Sequence, residues 1–345
     1  MTDSESSSRP LLGLMLGDCT GIGPEQCARI LADGRLAAVA RLLVVGDVRV
    51  LQAGARDAGV TLATRKWRTP EEVSWSCAEV PVIDLCNADP AAFRQGRVSP
   101  EAGRIAGETL AYMIDLALAS RLDGITFAPL NKGALHAGGW RFNDEHQMFA
   151  HLTKHSGFFG EMNVLDNLWM SRVTSHVSLR TALDQITPER IDQALTLADA
   201  TLRDAGFAEP RIAVAALNPH GGENGLFGRE EIELIAPAVT KGAARGIRCR
   251  GPFPADTIFL KAFAGDYDGV LTMYHDQGQI ATKLKGFNRG VTVTGGLKTV
   301  FTTPAHGTAF DIVGKGIART GALEQAVRLA ARLALARRQS SIPTH

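Results

Sequence analysis

Leu11-Leu12-Gly13-Leu14-Met15-Leu16 runs straight into Gly17-Asp18-Cys19-Thr20-Gly21-Ile22-Gly23-Pro24-Glu25. A short apolar run of this kind reads as a buried strand. The glycines after it allow a tight turn, and Pro24 suits the start of a helix. Outward from this unit the same alternation recurs. Residues 41–45, 80–85, 124–128, 211–217 and 269–273 read as further buried strands. Helical stretches follow most of them. The clearest is 100–121, with Ser99 as N-cap and Pro100 in the first position. Thr187-Pro188-Glu189 opens another by the same device, and 229–245 and 322–338 are two more. Repeated strand–helix units predict a mostly parallel sheet with helices on both faces, an α/β architecture. There is no internal repeat and no low-complexity linker. Gly and polar residues cluster at 135–150, which suggests a domain boundary there.

The chain has 345 residues, 45% hydrophobic and 21% charged, which suits a soluble globular protein with a large core. A formal net charge of +1 argues against a nucleic-acid partner. The cysteines, Cys19, Cys27, Cys77, Cys86 and Cys249, are scattered, odd in number and without a CxxC pair. Neither a disulfide framework nor a thiolate zinc site is expected, and a cytoplasmic setting is. No signal peptide and no membrane span are visible. Residues 1–9 and those after 338 read as disordered ends.

Chemistry is expected where Gly, Pro, His and Asp crowd together without helical or strand period. The turn 17–25 is not the GxGxxG fingerprint. It reads either as an anion-receiving helix N-terminus or as a plain strand-to-helix turn. Asn131-Lys132 follows a strand end, where open α/β sheets place ligands, so Lys132 is either an anion-holding residue or a surface lysine. His176 lies in a strand-like segment, 174–179, where a hydrogen-bonded core histidine is the commoner role. Asn218-Pro219-His220-Gly221-Gly222-Glu223-Asn224-Gly225 and Tyr274-His275-Asp276-Gln277-Gly278-Gln279 each follow a strand. Asp256 lies upstream of the second and Lys283 and Lys285 beyond it. Three histidines at or near strand ends make a plausible site for zinc or a similar divalent ion, with a position left open for substrate. A run from Ala305 to Gly316, containing His306, Gly307, Thr308 and Asp311, can cradle a nucleotide through backbone N–H groups or simply start a helix.

Together, GDCTGIGPE, NPHGGENGLFG, PADT, YHDQG with Lys283, and HGTAFDIVGKG resemble the 4-hydroxythreonine-4-phosphate dehydrogenase family of vitamin B6 biosynthesis. The likeness runs from about residue 11 to about 335. It implies two α/β/α domains with a central cleft, like isocitrate and isopropylmalate dehydrogenases. One domain would hold 10–140 plus 300–340 and the NAD side, the other 141–299 and the metal and dimer side. It implies a homodimer whose active site draws on both subunits. The family's metal-binding histidines fall on His176, His220 and His275, its lysine on Lys283, and carboxylates near the metal on Asp256 and Asp276. His306, Gly307, Thr308 and Asp311 fall where NAD is expected. Lys132 and His146 fall among the substrate contacts, His146 standing in for the histidine of the family's Gly-His-Thr-Glu stretch.

Two departures bear on substrate. Thr292 and Phe301 stand where the family carries substrate-contacting Asn and Arg, and loss of the Arg removes a bidentate phosphate partner. Lys298 is the nearby cation. An apolar Phe301 with a basic Lys298 is similar to the branch that oxidises cis-dihydrodiols of aromatic carboxylates such as terephthalate. The leading expectation is therefore a metal- and NAD-dependent, decarboxylating dehydrogenase of such a substrate. The alternatives are a 4-(phosphooxy)-threonine or phospho-sugar-acid dehydrogenase. From another class come a non-catalytic ligand-binding homologue and a metal hydrolase or aldolase that needs no NAD.

Overall fold

The structure, a computed structural model, describes residues 8–286 and 289–340. The chain divides into two compact units, Met1–His155 with Leu297–His345, and Ser156–Gly296. In the first, β1 (Leu11–Met15) leads to α1 (Gly23–Asp33), β2 (Arg41–Gly46) to α2 (Val48–Ala58), and β3 (Thr64–Trp67) and β4 (Val80–Asp84) to α3 (Pro100–Leu118). β5 (Gly124–Phe127) follows, then two short helices, α4 (Lys132–Ala137) and α5 (Glu145–Leu152). The caps expected from sequence form: Ser99 Oγ accepts from the Ala102 N–H at 3.3 Å, and Thr187 Oγ1 from the Arg190 N–H at 3.2 Å. α3 turns Ala102, Ile105, Leu110, Met113 and Ile114 into the core.

The second unit starts with an antiparallel hairpin, β6 (Gly160–Leu165) and β7 (Leu168–Arg172). α6 (Leu179–Gln185) and α7 (Pro188–Asp204) lead to β8 (Ile212–Ala215). A π-turn at Glu231–Ile235 runs into α8 (Ala236–Ala244). β9 (Cys249–Phe253), α9 (Ala255–Phe263), β10 (Gly269–Thr272), α10 (His275–Gly286) and β11 (Val291–Gly295) complete it. Its strand order is β11-β6-β7-β10-β8-β9. β7, β10, β8 and β9 are parallel, while β6 runs antiparallel to both its neighbours. Leu168, Met170, Ala213, Ala215, Ile258 and Val270 form a core between the sheet and α9.

The chain then returns to the first unit with β12 (Val300–Pro304) and α11 (Gly321–Ser340). The strand order there is β3-β4-β2-β1-β5-β12, parallel throughout. Leu323, Val327, Ala330 and Leu333 of α11 are buried. Each large aliphatic side chain so covered contributes about 1.5–3 kcal/mol.

The α/β class expected from the strand–helix alternation is what the structure shows, with helices packed on the strands of each unit. Several details differ from the sequence reading. Residues 141–155 belong with the first unit, because α5 is tied into it. The Phe149 ring stacks on Phe301 at 4.2 Å between centroids and 9° between planes, and meets Phe127 edge-on at 5.6 Å. In the segment 174–179, residues 174–178 are a loop leading into α6, which Leu179 begins, and not a strand. β3, β6, β7, β9, β11 and β12 had no apolar run long or clean enough to announce them. The disordered ends expected from sequence fall mostly on 1–7 and 341–345, outside the described residues. α11 continues past Arg338 to Ser340. The five cysteines are free, as expected.

Candidate active site

In the second unit, His176 follows β7, His275 follows β10 and His220 follows β8. These strands are neighbours in the order β7-β10-β8, so the carboxyl ends of three adjacent parallel strands each launch a histidine. His176 and His275 come together, with ring centroids 5.4 Å apart. His220 is exposed and lies instead beside Phe227, at 6.3 Å. Among the described residues no group of three His, Cys, Asp or Glu stands in metal-holding geometry.

Each member of the close pair has a carboxylate beside it. His275 Nδ1 donates to Asp276 Oδ1 at 2.7 Å, which leaves the Nε2 lone pair for a ligand. Burial lowers the His275 pKa, and Arg172 and His176 lower it further against the opposing pull of Asp276 and Glu161. The uncharged imidazole is the form that ligates a metal. Two imidazoles with carboxylates beside them fit a divalent ion as part of its ligand set, though not as the whole of it.

Sequence reasoning missed the polar network that underlies this pair. Glu161 of β6 lies 3.8 Å from His176 Nε2 and 3.6 Å from Arg172 Nη1. Asn163 Nδ2 donates to Glu161 Oε1 at 3.1 Å and to Thr292 Oγ1 at 3.0 Å. Asn163 Oδ1 accepts from Arg172 and from Gln279 Nε2, the latter at 2.6 Å. Arg172 and Asn163 are buried, so these contacts are worth more than surface pairs would be. The one available signal was a charged residue closing the otherwise apolar-leaning LWMSR. Gln277 explains another part of YHDQG. Its Oε1 accepts from the Met273 N–H at 2.8 Å and its Nε2 donates to the Ala216 carbonyl at 2.7 Å, tying the ends of β10 and β8 together.

The remaining expected residues of this unit are dispersed. Lys283 is exposed on α10, eight positions beyond His275, about 12 Å along the axis at 1.5 Å per residue. Asp256 is exposed in the first turn of α9. Thr292 is buried, its hydroxyl taken by Asn163.

In the first unit the turn 17–25 is closed, not open to an anion. Its Ile22 N–H donates to the Thr308 carbonyl at 3.1 Å, and a Cβ on Gly21 would stand 2.8 Å from Thr308 Cβ. The helix end that might have received an anion is covered by the chain's own 306–311 loop. Thr308 is buried beneath that loop, and nothing lies within 4 Å of where a Cβ on Gly307 would stand. His306, Gly307 and the exposed Asp311 thus border open space.

Asn131 caps α4 through a 2.8 Å bond from the Ala134 N–H, while Lys132 is exposed and lies 3.5 Å from Glu145. Lys132 and Glu145 border a recess with Trp140, Phe142 and Met148. His146 is buried with its ring edge-on to Phe149. Lys298 is exposed. Phe301 is 0% exposed, stacked in the core. Substrate contact by Phe301 and Thr292, expected from their alignment with the family's Arg and Asn, is therefore corrected: both side chains are spent on internal packing and bonding.

Residues 38–330 match the family described as pyridoxal phosphate biosynthetic protein PdxA. The chain is 43% identical, over 95% of its length and 98% of the relative's, to D-threonate 4-phosphate dehydrogenase of Cupriavidus necator. A crystal structure of 4-hydroxythreonine-4-phosphate dehydrogenase from Klebsiella pneumoniae is similar with a TM-score of 0.81 and 39% identity, covering 94% of this chain and 99% of that one. A terephthalate 1,2-cis-dihydrodiol dehydrogenase from Burkholderia xenovorans LB400 is more distant, with a TM-score of 0.65 and 26% identity over 94% and 98%. The relatives are dehydrogenases by name, which places the chain among oxidoreductases. The expectation that put the terephthalate branch first is corrected, since kinship favours the phosphorylated alternatives.

Proposed function

The chain belongs to the family of the pyridoxal phosphate biosynthetic protein PdxA, and from that premise we propose that it is a dehydrogenase of a phosphorylated β-hydroxy acid of the threonate or 4-hydroxythreonine type. NAD is its oxidant and a divalent ion, zinc by the nature of its imidazole ligands, its Lewis acid. The observation that carries the reading is the His176–His275 pair with a carboxylate beside each ring.

When bound, the divalent ion polarises the substrate hydroxyl and NAD accepts the hydride from the carbon that bears it. His176, His275 and His220 are the metal ligands in this reading. Asp276 holds His275 with its proton on Nδ1, and Glu161 steadies His176. Lys283, Lys132 and Lys298 are exposed cations for the substrate's phosphate and carboxylate. Asp276, next to His275, and Asp256, exposed on α9, are the carboxylates that pass the hydroxyl proton to solvent in this reading. The β-keto acid so formed loses its carboxylate as carbon dioxide. His306, Gly307, Thr308 and Asp311 hold the adenosine end of NAD. A homodimer is supported by apolar side chains left exposed in the second unit, among them Leu179, Leu226, Leu260, Ile280 and Leu284.

The test follows NADH absorbance with zinc-loaded protein offered D-threonate 4-phosphate, 4-(phosphooxy)-threonine and a terephthalate cis-dihydrodiol, each with a chelator control. Turnover of a phosphorylated acid, abolished by chelator, is expected. Turnover of the dihydrodiol alone would overturn the substrate assignment, and chelator-insensitive turnover would overturn the metal.

A further inference from the structure

Gln26, on α1, is fully buried, and its surroundings dictate which way its amide points. Nε2 lies 2.6 Å from the Arg319 carbonyl oxygen. A carbonyl only accepts, so the NH2 end of the amide faces it. The same nitrogen stands 3.4 Å from Nε2 of His306. Its second hydrogen therefore points to His306, whose Nε2 must offer a lone pair and whose proton must sit on Nδ1. The other side of the ring agrees. Nδ1 is 3.0 Å from the Gly307 carbonyl oxygen, an acceptor that requires an N–H. Two separate contacts thus select one tautomer. Gln26 Oε1 is buried with no hydrogen-bond partner, so the side chain is seated for its donor end at the expense of its acceptor.

Both ring nitrogens of His306 are engaged inside the protein, and what the ring has left for a ligand is its face. We infer that Gln26 is a positioning residue that fixes the plane and tautomer of His306 so that the imidazole stacks on the purine of the dinucleotide instead of hydrogen-bonding it. The inference rests on the NAD reading above. The loop carrying His306 is then pinned to α1 at two points, His306 to Gln26 and the Thr308 carbonyl to the Ile22 N–H. Stacking contacts tolerate different bases but depend on ring orientation, so the effect of Gln26 belongs in cofactor affinity and not in the chemical step.

The experiment is a long-range 15N–1H spectrum of histidine-labelled protein at about pH 8, where an ordinary imidazole is uncharged, with His306→Gln used to assign the signal. It is paired with steady-state kinetics of Gln26→Glu and Gln26→Met. Wild type is expected to show His306 as the Nδ1–H tautomer. Gln26→Glu removes the donor and turns an acceptor toward His306, so Nε2 should gain a proton and the Nε2 signal should shift accordingly. KM for NAD should rise about three- to tenfold, the effect of one lost hydrogen bond, with kcat and the substrate KM within about twofold. Gln26→Met removes the donor without adding charge and serves if the buried carboxylate unfolds the protein, which a thermal melt will show. An Nε2–H tautomer in wild type overturns the inference, as does Gln26→Met with unchanged His306 signals and unchanged KM for NAD. Failure of wild type to bind NAD in a calorimetric titration would instead overturn the reading on which it rests, while the spectrum still decides the hold of Gln26 on His306.

Discussion

At the scale of single residues, Phe301 shows how a position changes role. The resemblance aligns it with a substrate-binding Arg, but here its ring lies between sheet and α5, stacked on Phe149. Such a residue is invisible to ligand and expensive to remove. Phe301→Ala is expected to cost about 3–5 kcal/mol in a denaturant titration. Restoring the Arg is expected to do worse than nothing. Phe301→Arg would bury a guanidinium among aromatic rings with no anionic partner, at a cost of several kcal/mol or more. A folded Phe301→Arg protein with a lowered KM for the phosphorylated acid would show that the position reaches substrate after all. The stacked pair was not legible in the sequence, because Phe149 and Phe301 are brought together only by the return of the chain.

At the scale of elements, the loop that carries His220 is the informative one. His220, Glu223 and Asn224 all have positive φ, at 54°, 43° and 57°, conformations that non-glycine residues hold only when their surroundings impose them. Glu231 anchors the start of this loop. Its Oε1 accepts from the Leu217 and Asn218 N–H groups at 2.8 and 2.7 Å, and its Oε2 from Asn218 Nδ2 at 2.9 Å. Gly222 is needed there, since a Cβ would stand 2.6 Å from Glu231 Oε2. Burial pushes the Glu231 carboxyl up, but the Asn218 and Leu217 donors outweigh it and hold the pKa below the usual range. A carboxyl with a lowered folded pKa binds its proton more readily in the unfolded chain. Its stabilisation is complete above the unfolded value of about 4.3 and is lost as pH falls through the lower folded value. Glu231→Gln should therefore cost about 1.5–3 kcal/mol at neutral pH, as for bonds to a charged acceptor. In melts recorded down the pH scale, the gap from wild type should close in acid. A gap that stays constant to low pH would mean that the charge of Glu231 contributes nothing.

At the scale of the whole molecule, the proposed metal centre takes three strand-end histidines, of which His176 and His275 meet within one chain. A second copy is proposed to complete it. Ile280 and Leu284 lie one turn apart on α10, 59% and 84% exposed, an arrangement that costs solubility unless another surface covers it. Sedimentation should find a dimer, and Ile280→Lys with Leu284→Glu should yield monomers that bind metal more weakly. Mixing His220→Ala with His176→Ala protein should restore part of the activity each has lost, if ligands come from both copies. No recovery after subunit exchange would place the whole ligand set in one chain.

The sequence by itself determined the α/β class and the strands buried on both faces, because a parallel strand covered by helices is apolar along most of its length, as β1 is throughout and β2 and β5 are apart from Arg41 and Thr126. It also located the strand-end histidines, because Gly, Pro and His gather where the backbone must turn. Tertiary structure alone decided the hairpin β6–β7, whose Glu161, Asn163 and Arg172 break the apolar pattern to satisfy one another. It also decided that Phe301 belongs to the core, that the turn 17–25 is sealed by Thr308, and that Gln26 faces His306. Each of these depends on which distant segment fills the space beside a residue, and neither the residue's type nor the period of its neighbours carries that information.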